Sequence, residues 1–327
     1  MMGKLSSNLS RLGKVAKIFV EYANDGWLFL KHNNFSPVEP RDRRFSNKTI
    51  IEAHTIEKGL ALPSPRPHFG QDKIRAMLAM NDGWTPPEGD LSRSMLVGAL
   101  RDYSLAFADT DAPDAQLASQ IEKLIADPGS DGATGGVRTV DVAQLVRNEN
   151  AIAFLDARFS ARDFGQTPLS DNEVEEVLAL ALRAPSQCNR QSVRVHVYRD
   201  RETIKQLLDL QGGGRGFAEA VPTLFVLASE ITAWGGPQQR NQPYVDGGIF
   251  LTMLLLSLGA NGFVSCPMNL AITNRREREI KEVGSIPARD RLIVMVAAGP
   301  PPAHTLRAAN SPRWDVRAIC QMHDRPD

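Results

Sequence analysis

The chain has 327 residues, 42% of them hydrophobic, and its 38 Lys+Arg balance 38 Asp+Glu. A net charge of zero gives no support to a nucleic-acid binder held by bulk charge, although a local basic patch could hide within it, and the apolar share suits an ordinary packed core. Cys188, Cys266 and Cys320 are odd in number without a C-x-x-C pair, and the six histidines lack ligand spacing. Neither a disulfide framework nor a metal is expected.

In chain order, Leu5, Leu9, Leu12, Val15, Phe19 and Tyr22 recur at steps of three and four, so residues 5–31 read as an amphipathic helix with lysines opposite. Its apolar stripe is expected to pack on the protein's own body; the alternative is a basic helix lying on a membrane or a partner. No secretory h-region is present, and Glu21, Asn24 and Asp25 interrupt the apolar run Ile18–Leu30, so no transmembrane segment is expected there and a cytoplasmic protein is. Ser46 precedes a helical run over 47–58 that Gly59 would cap. His54 and Lys58, one turn apart, share a face that suits substrate contact, acid–base work or a plain surface ion network. Pro63, Pro65 and Pro67 form an extended loop able to reach a neighbouring site. Residues 71–83 and about 91–126 read as helical, and the glycine-rich run after Asp127 reads as a flexible linker. The division is a helical extension over 1–127, a linker over 128–137 and a second domain over 138–327.

Beyond the linker, helical patterns at 171–183, 202–211, 246–260 and 274–284 alternate with strand-like runs at 193–198, 223–229 and 292–298. This predicts a layered α+β or α/β domain. The 246–260 stretch is apolar nearly all round, so it should be buried, with Asp246 as its N-cap.

Two short motifs carry the chemistry. Arg158, Ser160 and Arg162 fall on one face of an extended segment, and paired guanidiniums suit phosphate oxygens. One helix later, Pro185, Ser186, Gln187, Asn189 and Gln191 make a polar turn feeding the strand at 193. In this order and spacing the two resemble the nitroreductase family of FMN-dependent oxidoreductases, in an extended form with an N-terminal helical region. The resemblance implies a three-layer α/β/α fold around a mixed or antiparallel sheet. It also implies FMN, a homodimer centred on the 246–260 helix, and NADH or NADPH as a transient reductant in ping-pong hydride transfer. By the same resemblance the R-x-S-x-R stretch holds the flavin phosphate and the Pro185–Gln191 turn borders the isoalloxazine. Arg313 of Ser311-Pro312-Arg313 closes the phosphate cradle, with Arg307 in reserve. Pro267-Met268-Asn269 faces flavin N5, where Met268 or Asn269 must donate because Pro267 has no N–H.

Better-known members place an asparagine and a lysine near N1 and O2; here Gly212–Gly216 stands there, with Arg215 as the available cation and a phosphate nest or a plain mobile loop as the alternative uses of the glycines. No side chain is expected to act as an obligatory acid or base, since the chemistry belongs to the flavin. His54 and Lys58 are candidate substrate contacts, with residues 47–70 reaching the catalytic domain as a lid. The first 127 residues resemble extended members found with bacterial polysaccharide biosynthesis. The alternative reading is a catalytically silent scaffold that keeps the fold.

Overall fold

The computed structural model describes residues 2–110, 114–127, 130 and 132–323, with side chains from residue 15 onward except that of residue 144. Leu5, Leu9 and Leu12 of the apolar stripe, and residues 128, 129 and 131 of the linker, therefore lie outside the described side chains or residues. The N-terminal part contains α1 (Met2–His32), α2 (Arg41–Leu60), α3 (Gln71–Asn81), α4 (Ser92–Ala106) and α5 (Ala115–Ile125). Helices α2 to α5 enclose a core of their own around Ile50, Ala53, Ile74, Leu96, Leu100 and Leu117. There follow α6 (Glu149–Asp156), α7 (Asp171–Ala181), β1 (Val193–Tyr198), α8 (Arg201–Gln211), β2 (Thr223–Glu230), α9 (Gln242–Ala260), β3 (Val264–Asn269), α10 (Asn274–Val283) and β4 (Asp290–Gly299).

The four strands form one antiparallel sheet in the order β1-β2-β4-β3. Alternate side chains of β2 serve opposite faces. Phe225 and Leu227 meet Val174 and Val177 of α7 and Phe250, Leu254 and Leu258 of α9. Leu224, Val226 and Ala228 meet Ile204, Leu207 and Leu208 of α8 and Ile280 of α10. The result is the expected α+β arrangement of three layers, with a sheet buried on both faces.

Local sequence sets the helix starts. Ser170 and Glu173 form a reciprocal capping box on α7, Asp200 caps α8 through Thr203 N, and Thr273 caps α10 through Arg276 N. Gly59 is not the cap of α2 but an interior residue. A Cβ there would lie 2.3 Å from the Phe69 ring. The expected helix over 91–126 is two helices, α4 and α5.

Two differences bear on the site. Residues 264–269 read as a loop because Cys-Pro-Met-Asn has low strand propensity, yet pairing with β4 makes them a strand, with Cys266 opposite Ala297 and Met268 opposite Met295. Helix α9 begins at Gln242 with Pro243 in its first turn, so Asp246 sits inside the helix, 3% exposed, and is not the N-cap. With the preceding turn, Pro237–Ala260 is 24 residues, long and apolar enough by length and composition to cross a membrane. Only one side of it is buried. Phe250, Leu254 and Leu258 pack on the sheet, while Tyr244, Val245 and Ile249 are exposed.

The extension is tied to the sheet domain. Asn47 Nδ2 donates to Thr232 O (2.9 Å), and Arg43 joins Arg194 and Arg289 around the buried Glu230 carboxylate. Residues 132–137 are pinned as well: Thr134 N donates to Ser94 Oγ and Gly136 N to Glu57 Oε1. Gly98 permits this approach, since a Cβ at that position would lie 2.3 Å from Gly135 O. The apolar stripe of α1 does not pack on the protein's body: from residue 15 onward, Val15, Ile18, Phe19, Tyr22 and Trp27 are exposed.

Candidate active site

The first motif lies along the free edge of β3. Ala161 N donates to Ser265 O (2.8 Å), and the Ala161 side chain is fully buried. In an extended segment a buried Ala161 leaves its alternates, Ser160 and Arg162, on the opposite face together with Arg158. Arg158 and Arg162 are exposed. Burial pushes the Cys266 thiol pKa up and nearby Arg162 opposes the shift, which puts that guanidinium within electrostatic reach of β3.

The same hydrogen bond fixes the polarity of β3. In a strand the N–H and C=O of one residue point to the same side, and successive residues alternate. Ser265 O points outward to Ala161, so Cys266 and Met268 direct their backbone groups to β4, and Pro267 and Asn269 direct theirs outward. A proline is tolerated there because the outward side needs no ladder donor. Gln211 Nε2 donates to Asn269 O (2.8 Å) from outside the ladder, which confirms the assignment. Met268 N–H is therefore engaged with β4, and Asn269 carries the outward N–H. The Asn269 side chain caps the next turn by accepting from Ala271 N (3.1 Å). Through Gln211, the glycine loop that carries Arg215 is joined to the end of β3. Arg215 lines a surface pocket of about 470 Å³ with Leu208, Gly214 and Phe217.

The second motif is a strained turn. Cys188, Asn189 and Gln191 all have left-handed backbone, with φ of 52°, 54° and 50°. Such conformations in residues other than glycine cost about 1–3 kcal/mol each and persist only where surroundings impose them. Asp246 Oδ2 accepts from Gln187 N (2.9 Å), and Ser186 Oγ accepts from Gln191 N (3.1 Å). Burial raises the Asp246 pKa, against the opposing pull of the Gln187 N–H and of Arg190. Pro185, Ser186, Gln191, Asp246 and Phe250 line a cavity of about 30 Å³ beneath the turn. Gln187 Oε1 is buried without a hydrogen-bond partner. An unsatisfied buried acceptor in a strained turn is an observation that calls for a donor from elsewhere. Met95 of α4 also reaches the turn, with Sδ 3.6 Å from Asn189 Nδ2. Sequence reading missed Asp246 in this role and missed Met95. A carboxylate inside an apolar helix was the available signal for the first; none existed for the second.

Within one chain the two motifs do not meet. Arg158–Arg162 adjoins β3, whereas the turn feeds β1 at the other edge, and Ser265 and Val193 lie toward opposite ends of the sheet. At strand spacing and rise they are roughly 25 Å apart. Arg313 lies in an exposed tail, its guanidinium donating to Ser311 O. His54 Nδ1 bonds Glu57 Oε2 (2.9 Å), the carboxylate that holds Gly136, and Lys58 is exposed on the same helix.

Residues 155–214 match the model of the nitroreductase family. The matched stretch contains Arg158, Ser160, Arg162 and the whole Pro185–Gln191 turn, and ends inside the glycine loop. The chain is 25% identical over 157 residues to a protein of Archaeoglobus fulgidus assigned as an NADH dehydrogenase/NAD(P)H nitroreductase, covering 47% of this chain and 86% of that one. Among solved structures, it is similar to an FMN-dependent nitroreductase from Clostridium difficile (19% identity, 54% of this chain and 99% of that one, TM-score 0.44). It is also similar to a nitroreductase-like protein from Streptococcus mutans (20% identity, 54% and 98% of the two chains, TM-score 0.48). Both motifs thus fall within the segment that matches the nitroreductase family model.

Proposed function

We propose that this chain is an FMN-dependent oxidoreductase of the cytoplasm. It takes hydride from NADH or NADPH and passes it, in a ping-pong cycle, to a small-molecule acceptor. The observation that carries the reading is the cluster along the outer edge of β3: two outward guanidiniums, an outward Asn269 N–H beside a proline, and the Arg215 loop joined through Gln211. These donors fit the parts of FMN. Arg158 and Arg162, with Ser160, would hold the phosphate; Asn269 N–H would face N5; Arg215 would supply positive charge beside N1 and O2. Arg313 joins the phosphate cradle when the C-terminal tail folds over a neighbouring copy. Bound there, FMN supplies the hydride-transfer chemistry.

The second motif argues for a homodimer. Its unsatisfied Gln187 acceptor suits the N–H edge of a flavin ring, yet it lies across the sheet from the β3 cluster in the same chain. Two copies joined through the exposed side of α9, where Tyr244, Val245 and Ile249 are uncovered, would bring the turn of one to the cluster of the other. Asp246 and Met95 then act by fixing the turn's shape. The extension, through α2 and Met95, backs the turn and narrows access to it, with His54 and Lys58 as candidate substrate contacts. A role in polysaccharide biosynthesis is the proposed setting for the acceptor.

The test is oxidation of NADH and NADPH by FMN-loaded protein, with molar mass from light scattering. Turnover with a dimer mass supports the reading. A dimer that binds FMN without oxidising either nucleotide favours the silent scaffold, and a monomer that retains FMN refutes the shared site.

A further inference from the structure

Helix α1 is amphipathic in the wrong sense for a core helix. Its polar side is the one fixed to the body. Glu21 Oε2 accepts from Asn274 N and Nδ2 (both 2.8 Å), and Asp25 Oδ1 accepts from Asn274 Nδ2 (2.9 Å) and pairs with Arg291 (3.1 Å). At 100° per residue, Phe19, Trp27 and Leu30 lie on roughly the opposite side of the helix. They are uncovered: Phe19 is 75% exposed, Trp27 66% and Leu30 62%, with Val15, Ile18 and Val20 also open. The sequence extends this stripe toward the N-terminus through Leu12, Leu9 and Leu5. Large apolar side chains aligned over several turns and turned away from the body mark a surface with an occupant.

Charge selects the occupant. Up to residue 20 the chain holds Lys4, Arg11, Lys14 and Lys17 and no acidic residue, although the whole chain is neutral. The first acidic side chains, Glu21 and Asp25, are those already engaged with Asn274 and Arg291. A helix that offers an apolar stripe, aromatic residues at its border and only cations in its leading half is complementary to an anionic lipid surface. We infer that α1 is a membrane-surface anchor: residues 5–20 lie in the headgroup region of an anionic bilayer with Val15, Phe19 and the leucines inward. Glu21 and Asp25 form the rigid joint to the sheet domain through α10 and the start of β4. The inference is independent of the flavin reading, since none of these residues belongs to the β3 cluster or the turn.

The test is co-sedimentation of the full chain with vesicles of phosphatidylcholine alone, and of phosphatidylcholine containing about 30% phosphatidylglycerol. Binding is expected to the anionic vesicles only and to weaken with salt. The pair Lys14→Glu and Lys17→Glu should lower the partition coefficient at least tenfold, because each basic residue near such a surface is worth roughly a fivefold factor. Phe19→Glu should abolish binding. Unchanged circular dichroism is expected for both, since Lys17 and Phe19 are exposed. Absence of the wild-type chain from the anionic pellet overturns the inference, as does equal binding to neutral vesicles. A third refuting outcome is that the substitutions lower the mass in light scattering while leaving sedimentation unchanged, which would make a second copy of the chain the occupant.

Discussion

Asp246 is the residue whose loss should expose how the turn is held. Its carboxylate is buried inside α9 and accepts the Gln187 N–H at 2.9 Å, at the entrance to a turn with three left-handed residues. A hydrogen bond to an ionised acceptor contributes about 1.5–3 kcal/mol, and its loss leaves a partly buried N–H without a partner. Part of that loss is returned as Cys188, Asn189 and Gln191 relax out of left-handed backbone. Asp246→Ala should therefore destabilise the fold by about 2 kcal/mol, a fall in Tm of about 4–8 °C for a chain of this class. Asp246→Asn keeps an acceptor at the same place and should lose less than half as much. The assay is thermal unfolding by circular dichroism, repeated with FMN at saturation. The Ala variant should gain less from FMN than wild type, because the turn no longer holds its bound shape. If Asp246→Ala melts within about 1 °C of wild type and keeps its FMN affinity, the hydrogen bond does not hold the turn and the reasoning fails.

Asn269→Pro should leave the fold intact but weaken FMN binding and slow its reduction, since it removes an outward N–H and the exposed side-chain cap on Ala271 N but no ladder bond; Met268→Pro breaks the β4 ladder and should yield little folded protein. Equal behaviour of the two variants in yield and flavin titration would contradict the strand polarity. Gly98→Ala places a Cβ against Gly135 O, so it should release residues 132–137 to limited proteolysis while FMN affinity is kept; an unchanged digestion pattern would show that the backbones do not touch. Glu230 is buried, which opposes ionisation, but Arg194 and Arg43 together with the Thr232 hydroxyl outweigh burial and lower its pKa. Its stabilisation is thus present at neutral pH and lost as pH falls through the lowered value. Glu230→Gln should cost about 1.5–3 kcal/mol at neutral pH, because the arginines it releases are partly solvated, and the gap to wild type should close on acidification; a gap that is constant with pH would refute the ion-pair account.

The layered sheet domain was legible because its helices and most of its strands carry their own local patterns. The helical runs read at 171, 202 and 274 are α7, α8 and α10, whose caps Ser170 with Glu173, Asp200 and Thr273 only the structure reveals, and the apolar runs at 193, 223 and 292 are strands. β3 was not legible, because Cys-Pro-Met-Asn becomes a strand only by pairing with β4, a contact some thirty residues away in sequence. The site divides in the same way. Its residue types were readable in Arg158–Arg162 and Pro185–Gln191, since each motif is local. Their separation across the sheet was not, because strand order is a property of the whole fold. Asp246 illustrates the difference: an acid near the start of an apolar run reads as a cap, and only the helix starting at Gln242 reveals it as the anchor of a distant turn. The outward stripe of α1 is a further case, because amphipathicity states that a helix has two faces without stating which one the body takes.

The central claim is that the outer edge of β3 holds a flavin phosphate, and FMN titration by fluorescence quenching tests it most directly. Wild type should bind stoichiometrically, and the double variant Arg158→Ala with Arg162→Ala, melting as wild type does without ligand, should bind at least a hundredfold more weakly, because each charge-assisted hydrogen bond contributes about 1.5–3 kcal/mol. Unchanged FMN affinity in that variant would contradict the account.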